Sequence, residues 1–135
     1  MQELHANYNA VFRLVYHLVL VTKYRRRVFT GAMLERAGAI LSDLCVSWEG
    51  KLLECSGEAD HLHALVDMPP RVRVSDLVNN LKTVTSRRLR AEFPAVRAAY
   101  GGKAVLWSPS YCVVSAGGAP LAVLKRYIEG QKRPE

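Results

Sequence analysis

The side chains in this sequence whose types and spacing can do chemistry are two histidines one residue apart and a tyrosine four residues before a glutamine. His61 and His63 lie in Asp60-His61-Leu62-His63-Ala64-Leu65-Val66-Asp67-Met68-Pro69-Pro70. This stretch reads as a short strand that Pro69 and Pro70 end, because proline cannot donate to a central ladder. On a strand, residues i and i+2 share a face, with Cα atoms about 6.6 Å apart. Two imidazoles at that spacing can converge on one metal ion. The plain alternative is a histidine pair on a partly exposed strand with no ligand, since two donors alone do not make a site. Tyr127 and Gln131 stand at i and i+4 and so share one face of a helix. Lys125 and Arg126 beside them make Tyr127 a poor core candidate. A tyrosine hydroxyl, with a pKa of about 10, is a weak nucleophile. A divalent ion drawing charge from a phosphate offsets part of that weakness, and a glutamine oxygen would make a third ligand beside two imidazoles. A surface tyrosine next to a helix-ending glutamine is the simpler reading of that pair.

The elements that must position these groups follow from periodicity. Residues 1–10 are polar and non-periodic, an N-terminal arm. Val11 to Thr22 (VFRLVYHLVLVT) is β-branched and aromatic, a buried strand. Lys23-Tyr24-Arg25-Arg26-Arg27 follows, either a solvated turn or a phosphate-gripping rim with Tyr24 as a stacking partner. Thr30 is placed to cap a helix whose apolar residues Met33, Leu34, Ala37, Ile40, Leu41, Leu44 and Cys45 recur at three- and four-residue intervals up to Trp48. Gly50 ends it. Lys51 to Gly57 is a second strand, joined to the histidine strand as an antiparallel hairpin. Ser75 caps a helix running to about Glu92, with Leu77, Leu81, Val84 and Leu89 inward. Its other surface carries Asn79, Asn80, Lys82, Thr83, Ser86, Arg87, Arg88 and Arg90. Basic residues near a helix C-terminus suit the dipole, yet this mixture of amides, hydroxyls and cations also suits phosphate and base edges. Ala104 to Ala116 reads as a last strand. Gly117-Gly118 then precedes a terminal helix, Pro120 to Gln131, and is either a hinge or a tight turn. The order strand, helix, strand, strand, helix, strand is βαββαβ, the α+β ferredoxin-like arrangement: an antiparallel sheet with helices on one face, extended by a C-terminal helix. That fold hosts unrelated functions, so function is argued from the site.

Composition narrows the field. The 135 residues form a single domain, 50% hydrophobic and 23% charged, as globular proteins are. Nineteen Lys and Arg against twelve Asp and Glu leave a net charge of +7, which points to a polyanionic partner, nucleic acid before membrane surface. Membrane-surface binding is disfavoured because no helix combines a basic face with exposed bulky apolar residues. Cys45, Cys55 and Cys112 are widely spaced, with no Cys-x-x-Cys, so neither a zinc knuckle nor a disulfide framework is expected. No signal peptide or membrane span is visible, and a cytoplasmic protein is expected.

Taken together, the motifs carry a resemblance. Thr22-Lys23-Tyr24-Arg25, Asp60-His61-Leu62-His63 with a hydrophobic residue between the histidines, Asn80-Leu81-Lys82-Thr83, the Trp107-to-Tyr111 segment, and Gly117-Gly118-Ala119-Pro120-Leu121 leading to Tyr127-Ile128-Glu129-x-Gln131 occur in one order over nearly the whole chain. The chain resembles the single-tyrosine HUH transposases of the TnpA type, from the insertion-sequence family numbered two hundred and six hundred and five. It departs from them at Gly130, where asparagine is common; a helical glycine costs up to about 1 kcal/mol. The resemblance implies that Tyr127 cleaves and rejoins single-stranded DNA in a prokaryotic cell through a 5′-phosphotyrosine link, at hairpins marking an element's ends. It implies one divalent ion, Mg²⁺ or Mn²⁺, held by His61, His63 and Gln131. It further implies a homodimer in which the segment 119–135, pivoting at Gly117-Gly118, can complete the partner's site. Lys23, Tyr24, Arg25, Arg26, Lys82, Arg87 and Arg88 are the expected DNA contacts. Two other readings stand beside this one: a domesticated relative processing repetitive extragenic hairpins, and a non-catalytic single-strand-binding module indifferent to Tyr127→Phe.

Overall fold

The computed structural model describes residues 4–6, 11–12, 14–115 and 130. Its elements are β1 (His5–Ala6), β2 (Val11–Phe12), β3 (Val15–Val21), α1 (Gly31–Ser47), β4 (Lys51–Glu58), β5 (His61–Asp67), α2 (Val74–Glu92), the short α3 (Pro94–Ala98) and β6 (Cys112–Ser115). Four strands form one antiparallel sheet in the order β4-β5-β3-β6, and α1 and α2 pack on it as the βαββαβ order predicts. Gly117, Gly118, Tyr127, Gln131 and the expected terminal helix lie outside the described residues.

The alternation of side chains decides what each face of the sheet holds. On β5, Leu62, Ala64 and Val66 enter the main core with Leu18 and Leu20 of β3, Met33, Ala37, Ile40 and Leu41 of α1, and Leu77, Leu81 and Leu89 of α2. His61, His63, Leu65 and Asp67 therefore share the other face. The register places Val21 beside His61, Val19 beside His63 and His17 beside Leu65. Val19 and Val21 are buried there too, in a smaller cluster with Cys112 and Val114.

Local chemistry accounts for most boundaries. The Thr30 hydroxyl accepts from the Met33 backbone N–H and caps α1, as expected. The left-handed residue after α1 is Glu49 (φ 62°), not Gly50. Gly50 is needed for a different reason: a Cβ there would overlap the Asp67 carbonyl and sit 2.5 Å from Met68 Sδ. α2 starts one residue before the expected Ser75 cap, and its N-terminal Arg73 makes no side-chain cap. The expected first strand, 11–22, is two pieces, and β2 turns back to pair with β1, so part of the N-terminal arm is a small hairpin. The expected last strand is regular only over Cys112–Ser115. Upstream of it Trp107 bridges to Thr22 and is buried, its indole N–H donating to Thr85 Oγ1 at 3.0 Å.

Candidate active site

β5 carries both histidines at its N-terminal end, and their rings stack with centroids 5.9 Å apart and an interplanar angle of 19°. The His17 ring lies 5.9 Å from that of His63, so three imidazoles line this part of the face. His61 is 8% exposed, and its Nδ1 is 2.9 Å from Asp60 Oδ1. With Asp60 as acceptor, Nδ1 carries the proton and Nε2 keeps its lone pair, the tautomer a metal ligand needs. His63 Nε2 lies 3.2 Å from Ser56 Oγ on the paired strand. Burial first, then the neighbouring His61 and His17 imidazoles, holds His63 below the ordinary histidine range, favouring the neutral ring that binds cations.

Asp60 is the node of this arrangement. It is 4% exposed, and its other oxygen, Oδ2, accepts from Arg25 Nε at 3.1 Å and is ion-paired with Nη2 at the same distance. Its main-chain carbonyl accepts from the Thr22 backbone N–H at 3.0 Å. Burial alone would raise the Asp60 carboxyl, but hydrogen bonds from His61 and Arg25 and the Arg25 charge leave it below the ordinary carboxylate value. The hairpin that presents Asp60 is tight. A Cβ on Gly57 would overlap the His61 carbonyl, so only glycine lets β4 pass so close to β5. Glu58 pairs with His61 across that hairpin, and Glu58, Asp60 and His61 each offer a donor atom within 4.8 Å of the others. Imidazole nitrogens with carboxylate oxygens suit a divalent ion of the Mg²⁺, Mn²⁺ or Zn²⁺ kind, so the residues present fit a metal without choosing it.

The sequence motifs meet here unevenly. His61 and His63 share a face at the expected spacing. Arg25 points inward to Asp60, its side chain only 12% exposed. Lys23, Tyr24 and Arg26 line a separate cavity with Tyr100 and Lys103. Lys82 donates to the carbonyls of Ser108 (2.8 Å) and Pro109 (3.1 Å), with its ammonium over the Tyr111 ring, and burial lowers its pKa. Arg87 is exposed, and Arg88 stands 3.8 Å from Glu92. Asn80 accepts from the Trp48 indole at 2.9 Å and ties α1 to α2. The sequence reading passed over Asp60, Glu58, His17, Tyr100 and Lys103 as site residues. The signal for Asp60 was its place directly before His61; nothing local marked the others.

Comparison with known proteins places the chain in a family. The family described as IS200-like transposase matches residues 10–131. The ISDra2 transposase TnpA of Deinococcus radiodurans is 31% identical over 126 residues, 93% of this chain and 89% of the relative. The transposase of insertion sequence element IS200 of Salmonella typhimurium is 34% identical over 116 residues, 86% of this chain and 75% of the relative. A crystal structure of a candidate transposase from Deinococcus radiodurans R1 superposes with a TM-score of 0.88 at 30% identity, covering 96% of this chain and 99% of that one. A REP-associated tyrosine transposase bound to a REP hairpin has the same fold at a TM-score of 0.51 and 10% identity, over 94% of this chain and 70% of that one. A family match over most of the length, full-length relatives at this identity and a shared fold lead to one conclusion: the chain belongs to the IS200-like transposases, enzymes of DNA strand transfer.

Proposed function

We propose that this transposase is a metal-dependent single-strand DNA strand transferase in which Tyr127 is the nucleophile. The observation that supports it most is the paired imidazoles of His61 and His63 on one face of β5, with His61 oriented by the buried Asp60–Arg25 pair. A site with a fixed tautomer and a neutral second imidazole is built to bind a cation. In this reading His61, His63 and Gln131 hold one divalent ion, Mg²⁺ or Mn²⁺, with Glu58 near enough to contribute. When bound, the ion supplies Lewis acidity toward phosphoryl oxygens. Tyr127 forms a bond to phosphorus as the 3′-oxygen leaves and takes a proton from solvent, giving a 5′-phosphotyrosine and a free 3′-hydroxyl. The phenolic proton goes to solvent or a nearby base. The phosphodiester energy stays in the covalent link, so rejoining needs no nucleotide cofactor.

The substrate in this reading is single-stranded DNA with hairpins at the element's ends. The single 135-residue domain works as a homodimer, its terminal helix pivoting at Gly117-Gly118 and able to serve the partner's site. No helix among the described residues is long and apolar enough to cross a membrane, which accords with an enzyme working on cytoplasmic DNA. The test is a denaturing gel of the protein incubated with labelled single-stranded hairpin DNA and Mn²⁺ or Mg²⁺. A covalent protein–DNA adduct is expected with the wild type and none with Tyr127→Phe or after chelation. An adduct that survives Tyr127→Phe would move the nucleophile elsewhere and end this reading.

A further inference from the structure

The segment after β3 is the most strained part of the described backbone. Tyr24 (φ 60°, ψ 16°) and Arg25 (φ 53°) are consecutive left-handed residues, and neither is glycine. Each such residue is disfavoured relative to ordinary helical backbone, because its Cβ crowds the following carbonyl. Strain of this kind persists only when the surroundings over-determine it. They do so here. Thr22 Oγ1 donates to the Arg26 carbonyl at 2.7 Å, and Arg25 is fixed by Asp60. The Tyr100 hydroxyl donates to the Lys23 carbonyl at 2.8 Å, and the Arg26 guanidinium donates to the Ala99 carbonyl. The consequence of the two left-handed residues is a reversal of side-chain direction. Arg25 turns inward to the site, while Tyr24 is left 51% exposed.

Tyr24 then becomes one wall of a cavity of about 270 Å³ shared with Lys23, Arg26, Tyr100, Lys103 and Val105. Its volume is just below the ~300–1,000 Å³ of common small-molecule sites. Three cations and two aromatic rings line it, and among the described residues no carboxylate does. Lys23 Nζ and the Arg26 guanidinium lie 5.5 and 5.6 Å from the Tyr24 ring centroid, and Arg26 also lies 5.1 Å from that of Tyr100. Among the described residues neither the Lys23 nor the Lys103 ammonium forms an ion pair. An exposed ring set among unneutralised cations matches a ligand with a flat π-face and a phosphate on each side of it, which is one nucleotide of a single strand.

We infer that the Lys23–Tyr24–Arg26–Tyr100–Lys103 cavity is a single-nucleotide subsite, which stacks one unpaired base of the DNA substrate on Tyr24 and holds its flanking phosphates with Lys23 and Lys103. The inference rests on the chain being a single-strand DNA enzyme. The subsite adjoins the metal-site residues through the chain itself, since the residue after Tyr24 is the one that holds Asp60 against His61. Because the loop is already constrained, little ordering remains to be done on binding.

The test compares two fluorescein-labelled probes by anisotropy: a single-stranded thymidine 15-mer, and a 15-mer of the same backbone made entirely of abasic residues. Tyr24→Ala is expected to weaken binding of the thymidine strand by roughly 5- to 150-fold and leave the abasic strand unchanged, while Tyr24→Phe binds both as the wild type does. Lys23→Ala and Lys103→Ala weaken both probes and each lower the slope of log K against log salt by about 0.7. Tyr24→Gly, which suits the left-handed backbone, is expected to lose thymidine-strand affinity as Tyr24→Ala does without melting earlier than the wild type. If Tyr24→Ala binds both probes like the wild type, or loses both equally, the subsite is overturned, while a Tyr127-dependent adduct keeps the strand-transferase reading intact. A wild type that binds neither probe and forms no adduct overturns both.

Discussion

Asp60→Asn is the most informative single change, because it keeps the shape of the side chain and removes only its charge. Asp60 is buried, accepts from Nδ1 of His61 and Nε of Arg25, and is ion-paired with Nη2 of Arg25. The amide can satisfy one side of this node with its oxygen but turns an N–H₂ toward the other. Arg25, with a side chain 12% exposed, is left without its counter-charge. Removing one partner of a fully buried ion pair costs about 3–5 kcal/mol, and a hydrogen bond to a charged group contributes about 1.5–3 kcal/mol. Since Arg25 reaches some solvent and the amide keeps one acceptor, a loss of about 2–3 kcal/mol is expected. For a domain of this size that lowers Tm by roughly 10 °C. The second consequence is chemical. Without the carboxylate the His61 tautomer is no longer fixed, and losing an outer-shell partner of a metal-binding histidine costs about 10- to 100-fold in metal affinity. Urea denaturation at neutral pH gives the first quantity, and titration of the metal-free protein with Mn²⁺, read by electron paramagnetic resonance of the free ion, gives the second. Arg25→Ala is the control. It should reproduce most of the stability loss but less of the affinity loss, because Asp60 can still hold His61. A variant destabilised by less than about 0.5 kcal/mol with wild-type Mn²⁺ affinity would refute the assignment of Asp60 as the positioning group.

Other consequences follow from the same coordinates. Gly50→Ala should destabilise the fold by about 1–3 kcal/mol, as overpacking does, because the new methyl would meet the Asp67 carbonyl and the Met68 side chain; chemical denaturation checks this, and an unchanged midpoint would show that the α1–β4 corner yields easily. Burial pushes the Cys45 thiol up to about 12 and the Cys55 thiol to about 11, so the reactive thiolate is scarce until the pH approaches those values. Iodoacetamide at pH 8 should therefore leave Cys45 unmodified in the native protein and label it in urea, as followed by peptide mass spectrometry. Rapid native labelling of Cys45 would contradict its burial.

Much of the architecture is written locally. The 3.6-residue spacing of Met33, Ala37, Ile40, Leu41 and Cys45 fixes α1, and the Thr30 hydroxyl marks its start. Alternation along β5 puts His61 and His63 together whatever the rest of the chain does, because the pleat has a period of two. The tyrosine and glutamine spacing is legible in the same way, and its tertiary placement lies outside the described residues. What the sequence left open is the fate of each charge. Arg25, Arg26 and Lys82 look alike as cations in the sequence, yet one pairs with Asp60, one donates to the Ala99 carbonyl and one ties down the 108–109 loop. Those partners lie 35, 73 and 26–27 residues away along the chain, and a charged side chain carries no local mark of a distant acceptor. Nor does Tyr24-Arg25 announce a left-handed turn, since neither residue is glycine; only the surrounding hydrogen bonds hold the backbone there. The sequence by itself determined the elements and the histidine pair, because those follow from short-period alternation. Tertiary structure alone decided which cation faces Asp60 beside His61 and which faces the cavity, because that choice belongs to whichever acceptor the fold brings within reach.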